Sequence, residues 1–480
     1  VDTDVIVVGA GPVGLLLAGE LRLGGAEVVV VERLARPTTE SRASTLHART
    51  AEVFDQRGLL EPLGDPPRDA AGHFGGIPLD LGDLPSPHAG IWKVPQTRVE
   101  ELLAQWAAGL GADIRRNHEL TGLVQHDDHV EAHLTSRVTL RASYVVGCDG
   151  ERSAVRRLAG FAFPGAAASR EMLRADVAGI DVPARRFERL PGGLAVSARR
   201  PDGVTRVMVH RYGEPPAVRT GEPAFAEVAE RWAQVTGEDI SGGTPLWVNA
   251  FDDTSRQAAS YLDRRVFLAG DAAHVQMPVG GQALNLGLQD AANLGWKLAA
   301  AVAGHAPAAL LDTYHHERHP VGQRVLTNIR AQAHVLLGAG EVGPVRSVLA
   351  ELLRFEPVRA HLAGMISGLD VRYDAGPGDH PLVGMRVPPT EFADGTSTTR
   401  LLRSGRGVLI DLADRRTDIS PWADRVLRAV ARPPAGSPLD DLTAVLLRPD
   451  GHVAWTGGTE PEKALRRWFG EPQTGDGQHG

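Results

Sequence analysis

The chain has 480 residues, a formal net charge of −8 and one cysteine, Cys148. The length accommodates two or three domains, and an acidic balance without basic runs argues against nucleic acid as a partner. A single cysteine excludes an internal disulfide and a cysteine-built zinc site and fits a reducing cytoplasm.

The longest apolar run, Val5 to Ala18, is short for a membrane span and is interrupted by glycines. Asp2 and Asp4 stand where a signal peptide would carry basic residues. A soluble, cytoplasmic protein with no membrane partner and no metal is expected. Within this run Asp4-Val5-Ile6-Val7-Val8 reads as a buried parallel strand. Gly9-Ala10-Gly11-Pro12-Val13-Gly14 follows, then a helical stretch to Leu23 and a second strand, Glu27 to Glu32. A GxGxxG turn in that context is a dinucleotide fingerprint. Gly9 permits the tight turn, Gly11 lets backbone approach a pyrophosphate, and Gly14 lets helix and strand pack closely. The helix start, with Pro12 and Val13, turns N–H groups and a positive dipole end to the phosphates. Glu32, followed by Arg33, ends the second strand, where a carboxylate accepts from ribose hydroxyls and repels a 2′-phosphate. This unit alone does not separate FAD from NAD.

Tyr144 to Gly150 is a strand running into an acidic turn at Asp149, with Ser153 and Arg156 at a helix start. Gly192 to Arg200 and Val204 to His210 alternate as antiparallel strands around the turn Pro201-Asp202-Gly203. Pro245 to Phe251 is another strand. Arg265 to His274 is a buried strand ending in Gly270-Asp271. Pro278, Gly280, Gly281, Gln282, Ala283, Leu284 and Asn285 lead into a helix carrying Asp290 and Asn293. Asp271 can bind a ribityl hydroxyl, and the N–H groups from Gly280 to Asn285 suit the electron-rich N1–C2=O edge of a flavin. These two later segments point to FAD. Residues 308 to 365 read as helical, and beyond about residue 380 strands alternate with turns, at Gly405 to Leu412 and Leu442 to Trp455.

Three motifs in order — Gly9-x-Gly11-x-x-Gly14, Cys148-Asp149-Gly150 with Ser153 and Arg156, and Gly270-Asp271-Ala272-Ala273-His274 with Pro278 — resemble those of the flavoprotein aromatic hydroxylases, the group that includes p-hydroxybenzoate hydroxylase. Further segments narrow the resemblance to bacterial aromatic polyketide hydroxylases of the angucycline type. They are Ser41-Arg42-Ala43, Ala48 to Gly58, Gly72-His73-Phe74-Gly75-Gly76, Gln105-Trp106-Ala107, His361 to Met365 and Ser367-Gly368-Leu369-Asp370. The resemblance implies that Arg42 and Gln96 contact FAD and that Leu120 lies near the adenine. Read from residue type alone, Arg42 is a surface salt-bridge former and Gln96, after Pro95, a helix cap. The family pattern has Gly where this chain has Ala283, whose methyl would crowd the isoalloxazine.

The expected fold class is α/β: a Rossmann-like FAD-binding domain with an inserted antiparallel-sheet substrate domain and a thioredoxin-like C-terminal domain. The expected boundaries are 1–70, 97–170 and 262–310 for the discontinuous FAD-binding domain, and 71–96 and 171–261 for the substrate sheet. A helical segment spans 311–375 and the C-terminal domain 376–480. The C-terminal domain lacks cysteine, so its expected role is structural, in contacts between the subunits of a homodimer. Phe74, Met208, Trp247 and Pro278 are the candidate substrate contacts, against an alternative reading of each as ordinary sheet core. His210 reads as a structural histidine.

The resemblance implies an FAD-dependent monooxygenase acting on a polycyclic aromatic polyketide. NADPH or NADH reduces the flavin, O2 adds at flavin C4a, and the hydroperoxide transfers one oxygen atom to the ring. With one dinucleotide fingerprint in the chain, the nicotinamide donor must bind transiently. A phenolate is already nucleophilic, so no catalytic acid or base is nominated. The rival readings are a Baeyer–Villiger oxygenase, an antibiotic-inactivating monooxygenase of the rifampicin type, and a non-catalytic protein that binds flavin and polyketide.

Overall fold

In the computed structural model, which describes residues 1–39, 43–376, 378, 380–414, 417–457 and 461–473, the run Thr3–Val8 (β1) lies inside an eight-stranded sheet. Val5, Ile6 and Val7 are fully buried, as a strand covered on both faces requires. The helix Pro12–Leu23 (α1) carries the chain over to the parallel strand Val28–Glu32 (β2). The helix Gln96–Gly109 (α2) precedes Asp113–Arg116 (β3), which extends the parallel order beyond β2. A hairpin, Leu120–Gln125 (β4) and Val130–Leu134 (β5), pairs antiparallel with the first half of Thr139–Gly147 (β6). The second half of β6 lies parallel to β1.

Beyond the short helix Ala154–Leu158 (α3) the chain leaves this sheet and builds a five-stranded antiparallel one. In spatial order it runs Arg185–Leu190 (β8), Gly193–Arg199 (β9), Thr205–Arg211 (β10), Glu171–Ala178 (β7) and Thr244–Asp252 (β11). Alternation assigns its two faces. Leu173, Ala175, Val177, Val207 and Val209 bury against the helix Phe225–Thr236 (α4), packing on Val228 and Trp232. Met172, Arg174 and Met208 point the other way, into a cavity.

The strand Val266–Leu268 (β12) returns to the parallel sheet beside β6. Two long helices follow, Gln282–Val302 (α5) and Asp312–Leu337 (α6), then Gly343–Leu352 (α7) and Glu356–Ser367 (α8). A four-stranded mixed sheet ends the chain, in the order Val426–Val430 (β14), Gly407–Asp411 (β13), Ala444–Leu447 (β15) and Val453–Thr456 (β16). Among the described residues no helix is long and apolar enough to cross a membrane.

Buried charge fastens this last sheet to α5 and α6. Arg448, fully buried, donates to both carboxylate oxygens of Glu317 at 2.5 and 2.9 Å and to Asp450. Lys297 donates to the same Glu317 at 2.8 Å. The Arg448 guanidinium also stacks over Trp468 at 4.5 Å. Burial pushes the Glu317 carboxyl up, but Arg448 and Lys297 outweigh it and hold it down to about 2. Its stabilising contribution is therefore complete above its ordinary value of 4.5 and is lost as the pH falls toward about 2. Glu317→Gln should cost about 3–5 kcal/mol at neutral pH, because it strands buried Arg448 and Lys297. The variant should also flatten the acid limb of the stability curve. Urea unfolding of both proteins across that pH range checks this, and an unchanged acid limb would contradict it.

Candidate active site

β1 ends at Val8, Gly9 follows, and α1 begins with Gly11 as its cap residue and no side-chain hydrogen bond to its first turn. The three glycines of this turn are required for different reasons. Gly9 has φ +106°, and a Cβ there would meet the Cys148 carbonyl oxygen at 2.5 Å. A Cβ at Gly14 would meet the Gly9 carbonyl oxygen at 2.0 Å. A Cβ at Gly11 meets nothing within 4 Å. The first and last glycines thus serve packing, while the middle one leaves a clear approach to uncapped N–H groups. That is the shape a pyrophosphate needs.

A groove of about 850 Å³ opens there, lined by Gly11, Pro12 and Val13, by Gln96 on the first turn of α2, by Gly150, and by Asp271. Gln96 Oε1 accepts from Ala43 N at 3.2 Å, and its Nε2 donates to Glu100 Oε1 at 2.8 Å. Arg42 lies outside the described residues. At the far end of β2, Glu32 accepts from Ala10 N and Leu34 N, both at 2.8 Å, beside exposed Arg33. His118 N donates to the Glu32 carbonyl at 2.8 Å, which draws the turn before Leu120 against the same strand end.

Asp149 and Asp271 have different tasks. One Asp149 oxygen caps α3, accepting from Ala154 N at 2.6 Å and Val155 N at 3.1 Å. Burial raises this carboxyl above its ordinary value despite those bonds. Arg156, whose backbone N–H donates to Ser153 Oγ, reaches across to the Ala272 carbonyl at 2.9 Å. The Asp149 segment thereby braces the segment that carries Asp271, which is itself exposed in the groove. Asp290, on α5, fixes that second segment from behind. It accepts from Gly270 N at 3.1 Å, His274 Nε2 at 2.7 Å and Arg318 Nε at 2.7 Å, with no exposure.

Gly280 and Gly281 both have φ +69°, and the chain turns through them into α5, whose first turn again has no side-chain cap. Ala283 and Leu284 line the groove and also a second cavity, of about 710 Å³, beneath the antiparallel sheet. Asn285 does not face either space. Its carboxamide ties Gly281 O and Thr45 O to α5 and accepts from His47 N at 2.8 Å, so it shapes the turn instead of presenting a side chain to a ligand.

Of the residues expected at a substrate, Met208 and Pro278 line the cavity. Phe74 and Trp247 do not. On the strand Ala71–Phe74, alternation puts Ala71 and His73 on the cavity face and turns Phe74 into an apolar cluster with Ile77 and Leu79. Trp247 lies farther up β11 than Phe251, which reaches the cavity, and stacks on Arg174 at 4.4 Å. His210 is buried between the Glu171 and Leu337 carbonyls at 2.8 and 3.2 Å, a structural histidine.

The residue that sequence reasoning missed is His73. Gly76 N donates to its Nδ1 at 3.2 Å, which places the proton on Nε2. No described residue accepts from that Nε2, and the ring lines the cavity 4.3 Å from Phe187. Phe187 sits at φ +53° in a bulge of β8, a conformation an aromatic residue adopts only when its surroundings force it. Burial, reinforced by the charges of Arg186 and Lys93, lowers His73 to about 4. It is a neutral N–H donor at any ordinary pH. The two-residue alternation of a strand was the available signal.

Comparison with known proteins agrees with this geometry. Residues 2–329 match the FAD binding domain family and residues 380–472 the aromatic-ring hydroxylase C-terminal family. Rifampicin monooxygenase of Streptomyces venezuelae is 44% identical over 98% of this chain and 100% of its own. The 12-dehydrotetracycline 5-monooxygenase/anhydrotetracycline 6-monooxygenase of Streptomyces rimosus is 42% identical, over 98% and 99%. The solved structure of CabE, an aromatic hydroxylase from angucycline biosynthesis, superposes with a TM-score of 0.95 at 51% identity, over 98% of this chain and 100% of that one.

The glycine geometry separates binding from folding. Gly11→Ala should leave the melting temperature of the FAD-free protein unchanged but weaken FAD binding by about tenfold or more, which is about 1.4 kcal/mol per tenfold. Gly14→Ala should instead destabilise the FAD-free protein by about 1–3 kcal/mol, as overpacking does. Flavin fluorescence titration and thermal melts of both variants distinguish the two effects.

Proposed function

The chain belongs to the FAD-binding aromatic-ring hydroxylases and is an FAD-dependent monooxygenase, and we propose that it hydroxylates a polycyclic aromatic polyketide with NAD(P)H and O2. The observation that carries this reading is the junction of the two spaces. The groove and the cavity share Ala43, Arg174, Phe251, Pro278, Ala283 and Leu284. A flavin laid from Glu32 past Gly11 and Asp271 would bring its ring system to that junction, with the substrate on the far side. FAD held there by Gly11, Asp271 and the start of α5 would supply the redox chemistry: reduction by a nicotinamide and insertion of one atom of O2 into the substrate ring, the other ending as water.

The protein's own residues bind, orient and exclude water. The uncapped first turn of α5 offers N–H groups and a positive dipole end to the flavin's electron-rich edge. A cavity of about 710 Å³ is within the roughly 300–1,000 Å³ of small-molecule sites. Its walls include Met172, Val196, Met208, Leu336 and Ile366, which suit fused rings. His73 Nε2–H would hold a carbonyl or phenol oxygen of those rings at a fixed position. A neutral donor there leaves a phenolate basic enough to attack without help from the protein.

In this reading the FAD-binding domain comprises Gly9, Gly11, Pro12, Val13, Gly14, Glu32, Arg33, Gln96, Leu120 and Asp271, with α5 closing it. The antiparallel sheet is the substrate domain, and the sheet from Gly407 to Thr456 is the thioredoxin-like domain. The relative that acts on rifampicin supports a second reading, oxidation of a finished antibiotic.

Incubation of the enzyme with tetracyclic phenols or with rifampicin, NADH or NADPH, and 18O2 tests both readings. The expected result is substrate-dependent oxygen uptake and a hydroxylated tetracycle carrying one 18O, located by NMR. A ring-expanded product or turnover of rifampicin alone would overturn the main reading. His73→Leu should raise KM for the hydroxylated substrate about 3- to 10-fold, the worth of one neutral hydrogen bond. It should increase NADPH oxidation without product and leave FAD content unchanged, with a small fall in melting temperature from the lost Gly76 N–H to Nδ1 bond. The effect should be constant from pH 6 to 9, because His73 titrates near 4.

A further inference from the structure

Far from the flavin groove, the β4–β5 hairpin turns through His126-Asp127-Asp128-His129 and continues to Glu131. His126 N donates to the His129 carbonyl at 2.8 Å, which brings the two imidazoles face to face, 4.4 Å apart and 12° from parallel. Glu131 approaches both rings: Oε2 lies 3.8 Å from His126 Nε2 and Oε1 lies 3.7 Å from His129 Nε2. We propose that His126, His129 and Glu131 form a binding site for a divalent transition metal ion, of which Zn2+ is the representative.

The protonation pattern supports an ion in preference to a simple polar cluster. Asp128 Oδ1 lies 2.7 Å from His129 Nδ1, so that nitrogen carries the proton and donates it. His129 Nε2 is then a lone pair. It is buried, has no hydrogen-bond partner among the described residues, and faces a carboxylate oxygen that is also only an acceptor. Arg141 already neutralises Oε1, so the groups offered to an ion are the His129 Nε2 lone pair and Glu131 Oε2, which faces His126. Separations of 3.7 and 3.8 Å are too long for hydrogen bonds. They approach the roughly 3.4 Å between ligand atoms around a tetrahedral ion with bonds of about 2.1 Å. The three ligand atoms lie within 4.8 Å of one another, but the nearly parallel rings hold their lone pairs in separate planes, so both imidazoles must turn substantially about their Cβ–Cγ bonds to converge on one ion.

The surroundings hold the ligands as metal sites hold theirs. A carboxylate behind a ligating histidine fixes its tautomer, which Asp128 does for His129. Arg141 Nε and Nη2 both bind Glu131 Oε1 at 2.9 Å and orient the carboxylate with Oε2 toward His126. Two imidazoles and one carboxylate suit Zn2+, Ni2+ or Cu2+ and disfavour the oxygen-seeking Mg2+ and Ca2+. The hairpin tip also rests on the lead-in to β12, through Arg265 Nε to the Asp127 carbonyl and Gln125 Nε2 to Asp263, both at 2.9 Å. An ion here would clamp the tip against that strand, so its effect is on stability and not on turnover.

The FAD-loaded full chain, freed of metal with chelator, is titrated with ZnCl2 by calorimetry, with MgCl2 as control. One Zn2+ per chain and a raised melting temperature are expected, with no Mg2+ binding. His126→Ala and His129→Ala should each abolish both effects, and Asp128→Asn should weaken binding about tenfold. Flavin absorbance and melts without metal verify that the hairpin variants fold. No Zn2+ binding by the parent chain overturns the proposal. So does binding that persists in both alanine variants, which would put the ion at other histidines such as His315 and His319.

Discussion

The carboxylate of Asp290 is the contact on which the placement of the site depends. It is fully buried on α5 and accepts from the backbone of Gly270, from His274 and from Arg318 of α6. Burial opposes its charge, but Arg318 and His274 together outweigh that and keep the carboxyl below its ordinary value. Three successive chain segments, with partners 16 to 28 residues apart, are thereby held at one point. The consequence is positional. The Gly270–Asp271 turn is pulled toward α5, and the start of α5 is fixed relative to the end of β1. Arg156, reaching from the Asp149 segment to the Ala272 carbonyl, adds a fourth segment to the same knot. The parallel order of β1, β6 and β12 already brings Gly11 and Asp271 to one edge of the sheet, and these buried bonds fix how the two turns face one another across the groove.

A second constraint follows from the two uncapped helix starts. The first turns of α1 and α5 leave N–H groups without side-chain partners, and such groups are costly unless something accepts from them. Each start is reached through glycine, at Gly9 and Gly11 for one and at Gly280 and Gly281 for the other. The two helices offer positive ends at opposite ends of one connected space. That polarity suits a ligand that carries a pyrophosphate and, farther along, an electron-rich heterocycle. The antiparallel sheet walls the far side of that space with Met172, Arg174 and Met208.

The parts legible in the sequence were those whose physics is local. A run of β-branched residues, a glycine turn, a two-residue strand period and the turn Pro201-Asp202-Gly203 each declare themselves within a few residues. Strand β7 was illegible because it is buried on both sides yet carries Glu171, Arg174 and Asp176. Their partners, Arg219 and Arg231 for Glu171 and Arg206 for Asp176, lie 30 to 60 residues away. Polarity there reports distant pairing and not exposure. The side-chain role of Asn285 was illegible for the same reason, since its partners Thr45 and His47 lie on another segment. Phe74 follows the alternative reading given for it, ordinary sheet core, and the same strand period that buries it turns His73 to the cavity.

Ala283 shows how little separates a scaffold requirement from a ligand requirement. Glycines at 280 and 281 are enforced by positive φ, and at Gly281 also by Thr45 Oγ1, 2.2 Å from where a Cβ would stand. Position 283 lies past that turn, inside the first turn of α5, where alanine is an excellent helix residue. Nothing in the protein therefore asks for glycine there. Ala283 lies at the junction that groove and cavity share, where its methyl would face a bound ligand. A glycine kept at that position serves the approach of a ring to backbone N–H groups. An alanine trades a little of that closeness for a firmer helix start, and leaves the N–H groups themselves in place.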